Sequence, residues 1–505
     1  MKKGLLLLAI LLSLSGCNSN KNNNSTSDGT SFESSSASRS VYLDFYSIND
    51  FHGRISENQI ENEPGISKMS SYLNDLKSKN EDGFVFLCAG DTFQDTYESH
   101  DNKGALIAEC LNQMGCEAMA LGNHDFDWGI DTIKTNQLLA GSCTFLGANV
   151  YNYPDISTFA NVGKEYKIIE RNGIKIGIIG TIGSTQNTSI TSSIWEDISF
   201  LDTTQIVQDL SDYLRIEENC QVIIWTNHAD YENSDPYNVT RISPKSNKKY
   251  VDAVFNAHSH RKEKEIYNKV PFIQGGSHGE RLSHVQLLCS DNGDVKLSTY
   301  GYVGDGIMSY YPNDPNIDSI ISKYHDEEYK TKKDAQLGTL TSDSSYYVDS
   351  HFAGSLIAKA TYDLYYDDMV NYDVSFVINN GSRDSISIGT QTNETIFNMT
   401  PFTNKTYICK DISGSDLIKE FSYSSTHYYQ VDENITIDEN STYTIACIDY
   451  LLLHKNRFRE YDYFSSYSSD NVPKIIDEYP YSIVSRYLTQ KGTISESSFN
   501  NGNYR

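Results

Sequence analysis

The sequence predicts an α/β fold, on three observations. From Val41 onward, short apolar runs of strand character are separated by helical or loop segments, the rhythm of α/β proteins. Five of these runs stop at Asp, His or Asn, where the loops of an open α/β sheet converge on one crevice. A length of 505 residues exceeds one ordinary core and predicts at least two domains.

The chain begins with a positive M-K-K and the apolar run G-L-L-L-L-A-I-L-L-S-L. About ten apolar residues are too few to span a bilayer, so the segment predicts a secretory signal over residues 1–16. It ends L-S-G-C (Leu14 to Cys17), which resembles a bacterial lipobox. That resemblance implies lipid attachment at Cys17 and an extracytoplasmic protein anchored to a bacterial membrane, with no transmembrane helix in the mature chain. Residues 17–40 are rich in Ser and Asn and predict a disordered tether. Eight further cysteines follow without a C-x-x-C pair, and most lie in apolar surroundings as small core residues. Export would permit disulfides, Cys110 with Cys116 for instance. The net charge of -26 disfavours nucleic acid polymers and anionic membrane faces as partners, although metal ions can still bring an anionic substrate to such a protein.

The candidate strands explain the chemistry in turn. Y-L-D-F-Y-S-I (Tyr42 to Ile48) runs into N-D-F-H-G-R, and F-V-F-L-C-A (Phe84 to Ala89) runs into G-D-T-F. A-M-A-L runs into G-N-H-D-F-D, V-I-I-W-T (Val222 to Thr226) into N-H, and V-D-A-V-F (Val251 to Phe255) into N-A-H-S-H. His52, His124, His228, His258 and His260, five of the 12 histidines, fall at these ends, which turn chemistry alone does not explain. Imidazole, carboxylate and carboxamide groups without thiolate suit zinc, manganese, iron or cobalt. Seven such groups exceed the needs of one ion and point to two ions sharing a carboxylate, an arrangement that clamps a phosphoryl group and makes a nucleophile of water near neutral pH.

Six motifs occur in order: D-F-H-G-R, A-G-D-T-F-Q-D-T, L-G-N-H-D-F-D-W-G, N-H-A-D, A-H-S-H and I-Q-G-G-S-H-G. Together they resemble the 5′-nucleotidase branch of the calcineurin-like metallophosphoesterases, which includes UDP-sugar hydrolases and 2′,3′-cyclic-nucleotide phosphodiesterases. The resemblance runs from about Val41 to beyond Gly492. It implies a four-layer α-β-β-α metallophosphoesterase domain over residues 41–312, a linker with a helix over 313–345, and a smaller mixed α/β substrate-binding domain over 346–505. It further implies two divalent ions, Zn, Mn, Co, Fe or Mg. Asp50, His52 and His260 would ligate one ion, Asn123, His228 and His258 the other, and Asp91 would bridge them. His124 would stabilise the transition state, with Asp127 hydrogen-bonded to it. His278 and His284 read as ordinary loop or sheet residues.

In the second half, I-D-S-I-I-S-K-Y-H-D-E-E-Y-K (Ile317 to Lys330) predicts one amphipathic linker helix, and H-F-A-G-S-L-I-A-K-A (His351 to Ala360) another helix. V-I-N-N-G-S-R resembles the family's Asn-Gly-rich loop and makes Arg383 a candidate for a substrate phosphate or carboxylate. T-P-F-T-N resembles the motif whose Phe stacks on the base, implying Phe402, with Tyr450 on the opposite face. The Gly-Gly-Asp-Gly that follows this second aromatic in the family is replaced by a longer segment, from which Asp462 would substitute for the family's carboxylate. The expected function is hydrolysis of extracellular nucleotides, foremost 5′-mononucleotides to nucleoside and phosphate. The alternatives are 2′,3′-cyclic nucleotides or UDP-sugars and, from another class, a non-catalytic surface nucleotide-binding lipoprotein.

Overall fold

The computed structural model describes residues 39–505 except 190–196, 343–346, 349, 381, 384–385, 424–425, 433, 453–463 and 496–505. Cys17, the signal, all but the last residues of the tether, and Asp462 lie outside the described residues. Everything below concerns the compact unit Ser40–Arg505.

Two six-stranded sheets form the centre of the N-terminal half. The first runs, edge to edge, through Val295–Val303, Leu282–Ser290, Ser40–Ile48, Phe84–Cys88, Cys116–Ala120 and Thr144–Leu146. The second runs through Lys262–Tyr267, Val270–Gly275, Ala253–Asn256, Val222–His228, Ile174–Ile182 and Tyr166–Arg171. Alternation along each strand sorts side chains into layers. Leu43, Phe45, Val85 and Leu87 from the first sheet meet Ile176, Ile178, Ile224 and Phe255 from the second in one core. Tyr46, Ile48, Phe86 and Cys88 point the other way, onto helices Gly65–Lys79 and Ala105–Gln113. Ile179, Ile223 and Trp225 face Val207 and Leu214 of helix Thr203–Ile216. These packings give the four-layer α-β-β-α order.

The strands that end in the motifs run parallel within their sheets: Ser40–Ile48 beside Phe84–Cys88 and then Cys116–Ala120, and Val222–His228 beside Ala253–Asn256. Parallel neighbours bring their C-terminal tips to one edge. That edge carries the candidate site.

The C-terminal half is a five-stranded sheet with the order Thr426–Gln430, Val374–Asn380, Thr442–Ile448, Thr406–Ser413 and Lys474–Ile476. Helices Ser350–Leu364 and Pro480–Lys491 cover one face through Leu356, Ile357, Ile483 and Leu488, while Leu417 and Leu451 pack on the other. The linker departs from expectation. Instead of one helix over 317–330 there are two, Pro315–Tyr324 and Glu327–Lys333. Asp326 accepts a hydrogen bond from Tyr329 N and caps a new helix, which overrides the continuous apolar stripe. Cys110 and Cys116 are unbonded. Both point into the apolar core from a helix and its neighbouring strand, and all eight described cysteines are free and buried.

No helix among the described residues is long and apolar enough to cross a membrane.

Candidate active site

The tip of strand Ser40–Ile48 continues into Asp50 and His52, both fully buried. Their backbones are pinned to the neighbouring loop, Asp50 N to Gly90 O at 3.0 Å and His52 N to Asp91 O at 3.0 Å. Asp50, His52, Asp91, His258 and His260 all have left-handed backbones, with φ of 48°, 52°, 50°, 77° and 57°. Non-glycine residues hold that conformation at a cost of about 1 kcal/mol or more each, so the surrounding packing must fix them. Two glycines make the convergence possible. A Cβ on Gly122 would lie 2.2 Å from Asp91 Oδ1, and one on Gly90 (φ 94°) 2.7 Å from His228 Nδ1.

The seven candidate ligands come together in two groups. Asp50, His52 and His260 present ligand atoms within 4.8 Å of one another, and so do Asp91, His228 and His258. Asn123 joins the second group, its Oδ1 lying 3.1 Å from His258 Nδ1. Asp91 lies between them, with Oδ2 3.1 Å from His228 Nε2 and 3.8 Å from His52 Nε2.

The ring nitrogens fit cations. His52 Nδ1 donates to Gln94 O at 3.0 Å and His228 Nδ1 to Ala89 O at 2.9 Å, which turns both Nε2 atoms toward the cluster. His52 Nε2 then faces His260 Nε2 at 3.0 Å, and His228 Nε2 faces Asp91 Oδ2 at 3.1 Å, a carboxylate that raises His228 to about 9 against its burial. Burial holds His52 well below the ordinary imidazole range and brings His258 to about 4 and His260 to about 3, the neutral form a ligand needs. Burial also raises Asp50 to about 7, a cost that a bound cation would remove. Buried imidazole nitrogens and carboxylates that converge in this way are the ligand types of a divalent-metal site.

His124 opens a short turn, His124–Phe126, beside this cluster. Its Nδ1 is 2.9 Å from Asp127 Oδ2, and its backbone N donates to Asp91 Oδ1 at 2.8 Å. Burial opposes the imidazolium, but the Asp127 carboxylate, aided by Asp91, outweighs it and lifts His124 to about 9. A cavity of about 240 Å³ opens here. Asn123, His124, Asp127 and His258 line one wall, and Arg383, Phe402 and Tyr450 line the other. The structure thus brings every described candidate into one place. The His124 and Phe402 ring centroids are 6.4 Å apart.

Several supporting residues carry no signal as separate motifs. Asp125 accepts from the backbone N–H of Gly122 (2.8 Å), Asp91 (3.1 Å), Thr92 (2.9 Å) and Phe93 (3.3 Å), stapling two strand tips together. Its presence in D-F-D beside Asp127 was the available sign, since one histidine needs only one carboxylate. Asn49 donates to Asp50 Oδ2 at 2.7 Å and to Gly276 O. His278 belongs to neither ligand group, yet it is more than a loop residue. Its N donates to Asp50 O at 2.8 Å, its Nδ1 meets the buried Glu63 at 2.8 Å, and its ring lies 6.0 Å from that of His52. His284 pairs with Asp44 at 2.7 Å inside the sheet, as an ordinary sheet residue does.

Comparison with known proteins agrees with this geometry. Residues 43–262 match the family model described as calcineurin-like phosphoesterase. The chain is 26% identical over 442 residues to a 5′-nucleotidase of Bos taurus, covering 78% of this chain and 74% of that protein. It is 26% identical over 432 residues to an apyrase of Tabanus yao, covering 78% and 75%. Among solved structures, a 5′-nucleotidase precursor from Thermus thermophilus superposes with a TM-score of 0.66 at 17% identity, over 90% of this chain and 97% of that one. That likeness speaks to fold alone.

Proposed function

We propose that the chain, a metal-dependent phosphoric ester hydrolase of the 5′-nucleotidase family of calcineurin-like phosphoesterases, cleaves extracellular 5′-mononucleotides to nucleoside and phosphate at a pair of divalent ions. One observation carries the reading: a single cavity is lined by Asn123 and His258 of the metal-ligand cluster and by the His124–Asp127 pair, and equally by a guanidinium and two aromatic rings.

In this reading Asp50, His52 and His260 hold one ion, Asn123, His228 and His258 the other, and Asp91 both. The ion pair, of Zn, Mn, Co, Fe or Mg, supplies positive charge against the phosphoryl oxygens and acidifies water. The chain's own groups do the rest. Asp127 fixes the His124 tautomer and favours its protonated form, so that the face of the imidazole away from Asp127 donates to charge developing on the phosphoryl group. Arg383 contributes a planar cation for the phosphate. Phe402 and Tyr450 sandwich the base, each stack contributing about 1–3 kcal/mol.

The same proposal divides the chain at 41–312, 313–345 and 346–505, and places it outside the cytoplasm on a lipid at Cys17 after removal of residues 1–16. Metabolic labelling with palmitate tests the anchor: label is expected on the native chain and absent from Cys17→Ser.

Phosphate or alcohol release from AMP, 2′,3′-cyclic AMP, UDP-glucose and an aryl phosphate, with manganese- or zinc-loaded enzyme, tests the activity. Strong AMP turnover that His124→Ala lacks is the expected result. Cyclic AMP or UDP-glucose turnover in place of AMP would move the substrate within the family. Aryl phosphate turnover without any nucleotide turnover would remove the base sandwich.

A further inference from the structure

Arg383 reaches the cavity across the junction between the two halves of the chain. Its Nε donates to Asp95 Oδ2 at 2.7 Å, and its Nη2 lies 3.5 Å from His52 Nε2. The two partners differ in exposure: the Asp95 side chain is 1% exposed and that of Arg383 27%. Asp95 Oδ1 is buried with no hydrogen-bond partner. The loop that carries Asp95 is anchored to the C-terminal half on both sides, by Gln94 Nε2 to Pro401 O at 2.7 Å and by Tyr97 N to Asn398 Oδ1 at 2.8 Å.

We propose that Asp95 is a positioning residue for substrate binding, which grips Arg383 through Nε and turns the Nη edge of the guanidinium toward the phosphate of a bound nucleotide. The inference rests on the reading of Arg383 as the phosphate contact. Three features favour this over a merely structural ion pair. A pair built for cohesion would use the two-point fork of guanidinium and carboxylate, whereas here one oxygen accepts and the other is left unsatisfied in a buried place. The atom taken is Nε, at the base of the group, so the outer edge is the part presented to His52 and the cavity. The third feature is electrostatic. A guanidinium 3.5 Å from a nitrogen of the metal-ligand cluster is repelled by the divalent ions that cluster is suited to hold, and a buried anion at its base is what keeps it there. Asp95 lies within A-G-D-T-F-Q-D-T, but nothing in that motif signals its contact with Arg383.

The test measures KM and kcat for AMP, together with the calorimetric Kd of inorganic phosphate, on the metal-loaded full chain. The proteins compared are the native chain, Asp95→Ala, Asp95→Asn, Asp95→Glu, Arg383→Ala and the Asp95→Ala/Arg383→Ala double variant. Loss of one charge-assisted hydrogen bond predicts that Asp95→Ala raises KM and phosphate Kd about tenfold, while kcat stays within about threefold. The effect should vanish in the Arg383→Ala background and be partly rescued by Asp95→Glu. Asp95→Asn keeps the shape and an acceptor without the charge, and should weaken binding less in the same direction. It also decides the matter should Asp95→Ala fail to fold. Equal effects with and without Arg383, or unchanged KM and Kd in Asp95→Asn and Asp95→Ala, would overturn the inference while leaving Arg383 in its role. Native KM and Kd in Arg383→Ala would instead overturn the phosphate contact itself, and the inference with it.

Discussion

The two walls of the cavity are built to different standards. In the metal-ligand cluster behind the first wall, Asp50, His52, Asp91, Asn123 and His228 are each at most 1% exposed, and several are held from two directions, by backbone hydrogen bonds and by partners behind the ring. Three of them also have left-handed backbones. On the facing wall, Arg383, Phe402 and Tyr450 are only partly buried, Arg383 and Phe402 on loops and Tyr450 on the short helix Asp449–Leu452 that follows a strand of a separate sheet. Groups that must meet a transition state to within a fraction of an ångström are fixed by over-determined packing. Groups that grip the remainder of a substrate tolerate looser placement. The difference predicts that changes on the first wall act on kcat for every substrate, and changes on the second act on KM for some.

The sharpest break of that comparison is His124→Ala. Loss of one transition-state donor is expected to lower kcat about a hundred- to a thousandfold on AMP and aryl phosphate alike. A loss confined to AMP would show that His124 belongs to substrate recognition. Next is Asp127→Asn, which leaves the ring in place but removes the charge behind it; kcat should fall about ten- to a hundredfold, with KM little changed, in steady-state kinetics. On the other wall, Phe402→Ala should raise KM for AMP by about five- to a hundredfold and spare aryl phosphate turnover. Equal damage to both substrates would place Phe402 with the first wall.

The smallest effect lies where the halves meet. Glu98, on the short helix that packs against Asn393–Met399, is raised to about 7 by burial despite its hydrogen bonds from Ser56. In the folded chain it stays protonated where the unfolded chain has already ionised, so stability falls as pH rises from about 4.5 to about 7. Glu98→Gln should flatten that part of the stability curve in thermal melts recorded across this range.

The first wall was legible in the sequence because its logic is local. Asp50, His52, Asp91, Asn123, His124, Asp127, His228, His258 and His260 each sit within a few residues of the end of an apolar run, and parallel strands deliver such ends to one edge. The residues that hold them are less visible. Asp125 bonds to an N–H of a different strand tip, and Asp95 to a side chain 288 positions away, and neither relation has a sequence spacing that could reveal it. The linker misled for a related reason: an apolar stripe continued across His325 and Asp326, while the cap made by one carboxylate decided where the helix broke. Arg383, Phe402 and Tyr450 were reachable only through resemblance, since partly exposed aromatic and basic groups have no periodicity of their own.

The central claim is that one buried cluster holds two ions that share Asp91. It is tested most directly by metal stoichiometry, measured by elemental mass spectrometry on chain loaded with zinc or manganese and dialysed free of excess. Two ions per native chain, falling to one or fewer in Asp91→Asn with the fold intact by circular dichroism, is the result this account predicts. A single ion in the native chain, or two that survive Asp91→Asn unchanged, would contradict it.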